Sequence, residues 1–247
     1  MTGQKADNVV TAAFLVIGDE ILSGRTKDRN IGFAADYLTS IGIDLKEARV
    51  VPDEREEIAA AVNALRARYD YVFTSGGIGP THDDITAECI AEALGVPLIL
   101  DPRAVAILEA HYPPGQFTPA RQRMARIPQG ADLIENKVSK APGFKIGNVY
   151  VMAGVPAIMQ AMMDAIAPTL ATGKKMLSET VPADMPESRI AERLAAIQDT
   201  HPQTLIGSYP QADNGKFTTQ IVIRSRDEAI LKAAAEDVAK AVAELSG

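Results

Sequence analysis

Tryptophan is absent from these 247 residues, and only six tyrosines and six phenylalanines supply aromatic surface. An extended aromatic platform for stacking nucleic-acid bases is thereby excluded. Basic side chains are also the minority, 25 Lys and Arg against 32 Asp and Glu, for a net charge of −7. That balance removes the basic field needed for non-specific binding to nucleic acid or an anionic membrane surface. It leaves room for a small anion held by main-chain donors and a cation. The lone cysteine, Cys89, cannot close an internal disulfide, and its helical surroundings predict a buried, reduced thiol. No basic leader runs into an apolar segment, and no apolar run reaches membrane-spanning length, so a soluble cytoplasmic chain is expected. His82, His111 and His201 lie beside turn residues, with no Ser–His–Asp or Cys–His spacing to read.

What is present is an alternating pattern. Thr11 to Ile17 is a continuous apolar run, the mark of a strand covered on both faces, and it empties into Gly18-Asp19-Glu20. A helix follows from about Arg29 to Ile41, with Gly42 as its stop. Asp44 to Val51 reads as a second strand, and Asp53-x-x-Glu56 as a capping box opening a second helix. Tyr71 to Phe73 forms a third strand, then come Ser75-Gly76-Gly77-Ile78-Gly79-Pro80 and a helix carrying Cys89. Strand, helix, strand, helix, strand, glycine loop, helix is the rhythm of a three-layer, mostly parallel α/β sheet. Ligands of such sheets sit beyond the strand C-termini, so the loops at Gly18, Asp53 and Ser75 should converge. No GxGxxG fingerprint marks a dinucleotide site of the familiar kind. Leu133 to Lys145 reads as irregular, and Asn148 to Ala153 as a further buried strand. Near Pro168 to Lys175 the apolar pattern stops, dividing the chain into 1–170 and 171–247. The second part reads βαββα, with an Asp213-Asn214-Gly215 hairpin turn and capping pairs at Asp184/Glu187 and Ser225/Glu228.

The stretch from Tyr71 to Glu88 carries the chemistry. Glycines let backbone N–H groups approach a ligand closely, and the helix start that follows adds unpaired donors, which together make an anion site. Asp83 and Asp84 at that start suit either a helix cap or a divalent cation bridging to phosphate. An ordinary tight turn is the plain alternative.

Ser75-Gly76-Gly77-Ile78-Gly79-Pro80-Thr81-His82-Asp83-Asp84-Ile85-Thr86-Ala87-Glu88 resembles the signature loop of the molybdopterin-binding (MoaB/Mog-type) domain superfamily. Within it, the N-terminal region of competence/damage-inducible protein A (CinA) is the most similar. The molybdopterin adenylyltransferase branch typically has threonine where this chain has Ile78 and arginine where it has Asp83. Ala141-Pro142-Gly143-Phe144 and Gly154-Val155-Pro156 resemble later CinA blocks, so the likeness spans roughly residues 10–169. No stretch corresponds to the deamidase domain of full-length CinA or to the synthetase domain of eukaryotic FAD synthases, so neither activity is implied.

The resemblance implies a nucleotide or pterin phosphate as ligand and hydrolysis of a nucleotide pyrophosphate bond, with ADP-ribose the usual substrate. Ser75, Gly76, Gly77 and Gly79 form the expected phosphate cradle, with Thr81 adding a hydroxyl. Asp84 aligns with the family's loop aspartate, and Asp19 and Glu20 stand in its Gly18-Asp19-Glu20 motif. These three acids are the expected catalytic and metal-binding set, for Mg²⁺, Mn²⁺ or Co²⁺, though solvated loop acids remain the alternative for Asp19 and Glu20. Asn30 and Asp53 are either ligand contacts or helix caps. Gly154 and Pro156 complete the expected ligand contacts. Adenylyl transfer and a binding module without turnover stand as the competing readings, and the superfamily's habit is homo-oligomeric. On these terms a substitution of Gly77 by valine is expected to block the ligand and spare the fold.

Overall fold

The computed structural model describes residues 9–213 and 216–246. It divides into two compact units, the first ending at Gly173 and the second beginning at Lys174.

The first unit is built on β1, Val10–Ile17. Its alternate residues serve two cores. Ala13, Leu15 and Ile17 face one layer with α3 (Arg55–Arg68) and α4 (Thr86–Leu94), and Ala12, Phe14 and Val16 face the other with α2 (Asn30–Ile41). A strand packed on both sides has no polar face to show, hence its unbroken apolar run. Phe14 and Leu15 are wholly buried, each contributing roughly 1.5–3 kcal/mol by leaving water. Beside β1 lie β2 (Ile43–Val51) and β3 (Tyr71–Ser75), both parallel to it. The sheet closes with β6 (Asp132–Ile134), β7 (Gly143–Ile146) and β8 (Val149–Met152), giving the order β2-β1-β3-β8-β7-β6. β8 runs parallel to β3, while β7 and β6 are antiparallel additions. The sheet is therefore mostly parallel, as its loops and helices led one to expect. The stretch read as irregular between Leu133 and Lys145 instead holds β6 and β7, whose three or four residues are too short for a periodic pattern to register.

Between these elements run α1 (Asp19–Leu22), β4 (Leu98–Leu100), α5 (Pro102–His111), α6 (Pro119–Gln122) and β5 (Arg126–Pro128). α7 (Pro156–Ile166) follows β8 and buries Met159, Met162, Met163 and Ile166 in the same layer as α2. Gly42 ends α2 in the left-handed conformation, and Asp101 caps α5 through the N–H groups of Arg103 and Ala104. Cys89 is buried in α4, and burial pushes its thiol up to about 11. No helix among the described residues is long and apolar enough to cross a membrane.

The second unit consists of β9 (Leu177–Ala183), α8 (Glu187–Thr200), β10 (Leu205–Asp213), β11 (Lys216–Ser225) and α9 (Glu228–Ser246). The antiparallel sheet has the order β10-β11-β9, and Ile221 and Ile223 pack against Ile190, Leu231 and Val238 of the two helices. Two expected caps are replaced. No side chain caps α8: the helix begins at Glu187 itself, with Pro186 at the N-cap position, and the Glu187 carboxylate accepts the Ser208 hydroxyl. Asp227, not Ser225, receives the N–H groups of Ala229 and Ile230 at the start of α9. The Asn214-Gly215 hairpin turn lies outside the described residues.

Candidate functional site

Sheet register assembles the site. Ile17 lies opposite Val51, Val16 opposite Ser75, and Ser75 opposite Met152, so four parallel strands end in one row. The segments that leave them, beginning at Gly18, Pro52, Gly76 and Ala153, start side by side. Such convergence at strand C-termini is where open α/β sheets bind ligands.

In the first of these segments, the supposed loop at Asp19-Glu20 is the start of the short α1. Asp53 Oδ2 accepts the Asp19 N–H at 3.0 Å, so Asp53 holds the α1 turn and does not cap α3, whose first residue follows an uncapped Glu54. Burial raises the Asp53 carboxyl above its ordinary value. The Asp19 N–H opposes that rise, while the charges of Asp19, Glu20 and Asp83 add to it. An acidic neighbourhood with a carboxyl held up in this way gains on proton uptake or on meeting a cation.

The glycine loop is shaped by packing as much as by ligand access. Gly76 has φ 115, and a Cβ there would lie 2.0 Å from the Ile17 carbonyl oxygen. Gly77 has φ 65, and its Cβ would meet the Thr86 hydroxyl at 2.2 Å. The expectation that valine at 77 would spare the fold is thus corrected, because the side chain would strike α4 itself. Thr86, unnoticed in the sequence, is buried and donates to the Gly76 carbonyl at 3.0 Å, while its N–H reaches the Gly77 carbonyl.

Ser75 and Asn30 also turn inward. Asn30 is buried and its Nδ2 donates to Ser75 Oγ at 2.7 Å and to the Gly154 carbonyl at 2.8 Å. The Ser75 hydroxyl in turn approaches the Ala153 carbonyl at 3.4 Å. Asn30 therefore ties α2 to two of the converging loops and caps no helix, Asp28 accepting the Ile31 N–H instead. The Thr81 hydroxyl and N–H both donate to Asp84 Oδ2, at 2.5 and 2.8 Å. Neither Asp83 nor Asp84 caps α4. With those side chains occupied, the cradle reduces to main-chain donors: the N–H groups of Gly77, Ile78 and Gly79 have no acceptor among the described residues. His82 is fully exposed.

A cavity of about 520 Å³ opens over this loop. Gly76 to Pro80 and Asp84 form one wall, Glu20 and Thr26 another, and Ala153 to Pro156 with Ile158 a third. Met124, Asn136, Ser139 and Ala141 complete it. Of the three expected acids, Glu20 and Asp84 wall the cavity, and Asp19 does not. Among the described residues no group of three or more His, Cys, Asp or Glu side chains is arranged to hold a metal ion. Asn136 and Ser139 escaped sequence reading, although Asn136 carried a turn signal, whereas Ala141 opens the Ala141-Pro142-Gly143-Phe144 block. The buried Asn136 amide accepts from Val138 and Ser139 N–H and donates to the Ala141 carbonyl, folding the loop on itself.

Behind the loop, Glu88 gathers α3, α4 and β5. Its oxygens take Arg55 and Arg126 at 2.5 Å each, with the carboxylate side chain 19% exposed. Burial alone would raise this carboxyl, but the two arginines outweigh it and hold it below the usual glutamate value. Glu88→Gln is expected to cost about 2 kcal/mol at neutral pH, since it leaves the arginines without their anion. A depressed carboxyl stabilises the fold above its unfolded pKa and loses that contribution as pH falls through the folded one. Urea titrations from neutral to acid pH should therefore show wild type converging on the variant below the ordinary glutamate range. A gap that stays constant with pH would mean that packing, not charge, is responsible.

A mostly parallel sheet, covered on both faces and ending in a glycine-lined cavity, defines an open-sheet α/β ligand-binding domain with a small α+β unit after it. Residues 13–172 match the family described as probable molybdopterin binding domain, and residues 175–246 the FAD synthase middle domain. The chain belongs to the molybdopterin-binding domain family and is CinA-like. Protein Ta0487 of Thermoplasma acidophilum is 32% identical over 235 residues, which covers 92% of both chains. A CinA-like protein of Desulfosudis oleivorans is 35% identical over 197 residues, 74% of this chain and 48% of that one. The chain thus spans about half the length of that curated relative. A crystal structure from Thermoplasma acidophilum, described as the protein CinA with unknown function, superposes with a TM-score of 0.62 at 37% identity. It covers 66% of this chain and 98% of its own.

Proposed function

We propose that the first unit is a divalent-cation-dependent hydrolase of a nucleotide pyrophosphate bond, with ADP-ribose or a related dinucleotide as substrate. One observation carries this reading: unpaired main-chain donors at Gly77 to Gly79 share a single cavity with the carboxylates of Glu20 and Asp84. Two carboxylates do not make a protein-only cage, but they fit a hard cation that arrives with phosphate oxygens, as Mg²⁺ does. When bound, such an ion polarises a phosphoryl oxygen and lowers the pKa of water. The chain's own contributions are orientation and charge. The free N–H groups receive phosphate oxygens, and Asn30, Ser75 and Thr86 keep the loop from moving as they do so. In the reaction a water oxygen bonds to phosphorus, the bridging P–O–P bond breaks, and the bridging oxygen leaves on the other phosphate. ADP-ribose would yield AMP and ribose 5-phosphate, with protons released to solvent.

The match of the second unit to the FAD synthase middle domain favours flavin dinucleotides as a second substrate type. The test is incubation of the full chain with ADP-ribose or FAD, with Mg²⁺, Mn²⁺ or Co²⁺ or with chelator. AMP formed only with the metal is the expected product. Tight binding with no product under any metal would leave a ligand-binding module. Adenylylation of molybdopterin by ATP would instead assign the transfer reaction of the wider family.

A further inference from the structure

Arg123 begins a single 3-10 turn, Arg123–Ala125, that leads into β5. Its Nη2 donates to the main-chain carbonyl of Asp84 at 3.3 Å and stands 3.9 Å from Glu88 Oε1. Glu88 does not need it, being already bonded by Arg55 and Arg126. Arg55 also approaches Glu92 at 3.8 Å, so three arginines here meet two glutamates. Arg123 is the one with no carboxylate oxygen of the described residues within hydrogen-bond distance, and its charge is also felt by exposed Asp83. Arg123 Nε is buried and has no acceptor among the described residues. The side chain walls a narrow cleft of about 20 Å³, which shares Gly77, Ile78, Gly79 and Asp84 with the main cavity.

A guanidinium taken partly out of water with one donor idle is a cost that packing alone does not explain. Packing could use the stem, and the glutamate could do with two partners. What Arg123 reaches that the other arginines do not is the chain at Asp84. We propose that Arg123 is the cationic positioning residue of the cavity: it holds Asp84 through its carbonyl and sets a positive charge, bonded to no carboxylate of its own, behind the Gly77–Gly79 main chain. A phosphate arriving on the other side of that main chain meets donors backed by a cation. The charged residues that wall the main cavity, Glu20 and Asp84, are both acidic, and Arg123, in the adjoining cleft, is the cation set against them before any metal enters. The proposal rests on the phosphate reading of the cavity.

The test uses the full chain with Arg123→Met and Arg123→Lys, calorimetric titration with inorganic pyrophosphate plus Mg²⁺, and amide exchange of the ligand-free protein. Arg123→Met keeps the stem and the Glu88 pairs, so melting should shift by only a few degrees. Pyrophosphate affinity should drop about tenfold, and the loss should shrink as salt is raised. Arg123→Lys should recover affinity to within about threefold, because the charge returns without the fork. In Arg123→Met the amides of Thr81, Asp84 and Thr86, which all have acceptors in the structure, should exchange faster. Wild-type affinity in Arg123→Met, or a loss that lysine does not recover, overturns the charge role. If wild type binds no pyrophosphate, the phosphate reading itself has failed, and exchange alone decides the positioning: equal protection overturns it, faster exchange upholds it.

Discussion

Gly76→Ala should destabilise the first unit by about 4 kcal/mol, a large share of the 5–15 kcal/mol that holds a typical domain. Two independent costs combine. At φ 115 the backbone occupies a region that side chains rarely enter, and the new Cβ would lie 2.0 Å from the Ile17 carbonyl oxygen. That oxygen belongs to the last residue of β1, a strand paired on both sides, so it cannot retreat without disturbing β2 and β3 together. Gly79→Ala makes the control. The nearest atoms its Cβ would meet belong to the Asp84 carboxylate, at 2.6 Å, a side chain that can turn aside at some cost to its Thr81 bonds where the Ile17 backbone cannot. A loss below about 1 kcal/mol is expected there. Urea unfolding of both variants measures the difference, and a Gly76→Ala protein as stable as wild type would show that the loop backbone can relax.

The same contrast shows what could be read in the chain beforehand. Buried strands announced themselves through runs such as Thr11 to Ile17, and Gly42 punctuated a helix as local chemistry requires. These signals are local, and local signals survive translation into sequence. The functions of Asn30, Ser75 and Asp53 were not legible. Asn30 and Asp53 are polar residues near helix starts, where capping is the nearby explanation, and Ser75, at the end of β3, stood in the expected phosphate cradle, yet each reaches a partner between 34 and 124 residues away. Glycine was ambiguous for a related reason. A ligand and a neighbouring strand both demand the missing Cβ, and only the fold tells that Gly76 faces Ile17 and Gly77 faces Thr86. Asn136 and Ser139 in the cavity wall were missed because β6 and β7 around them are too brief to show a period.

On the proposed pyrophosphatase function, Asp84→Asn is expected to reduce hydrolysis of ADP-ribose by about three orders of magnitude while leaving the melting temperature close to wild type. Two roles meet in this carboxylate and must be separated. It accepts the Thr81 hydroxyl and N–H through Oδ2, which is a structural tie, and it stands with Glu20 in the cavity wall, where the proposal puts a cation. Asparagine keeps a carbonyl oxygen for Thr81 and removes the charge. Thr81→Ala does the reverse, deleting the hydroxyl bond and leaving the charge. If the charge is what matters, Asp84→Asn loses activity about a hundredfold more than Thr81→Ala, and more Mg²⁺ restores part of it. Glu20→Gln should then behave like Asp84→Asn, because the two carboxylates would share one ion. Equal losses in Asp84→Asn and Thr81→Ala, with no response to metal, would make Asp84 a loop tie. The pyrophosphatase reading would then lose the group on which its chemistry depends.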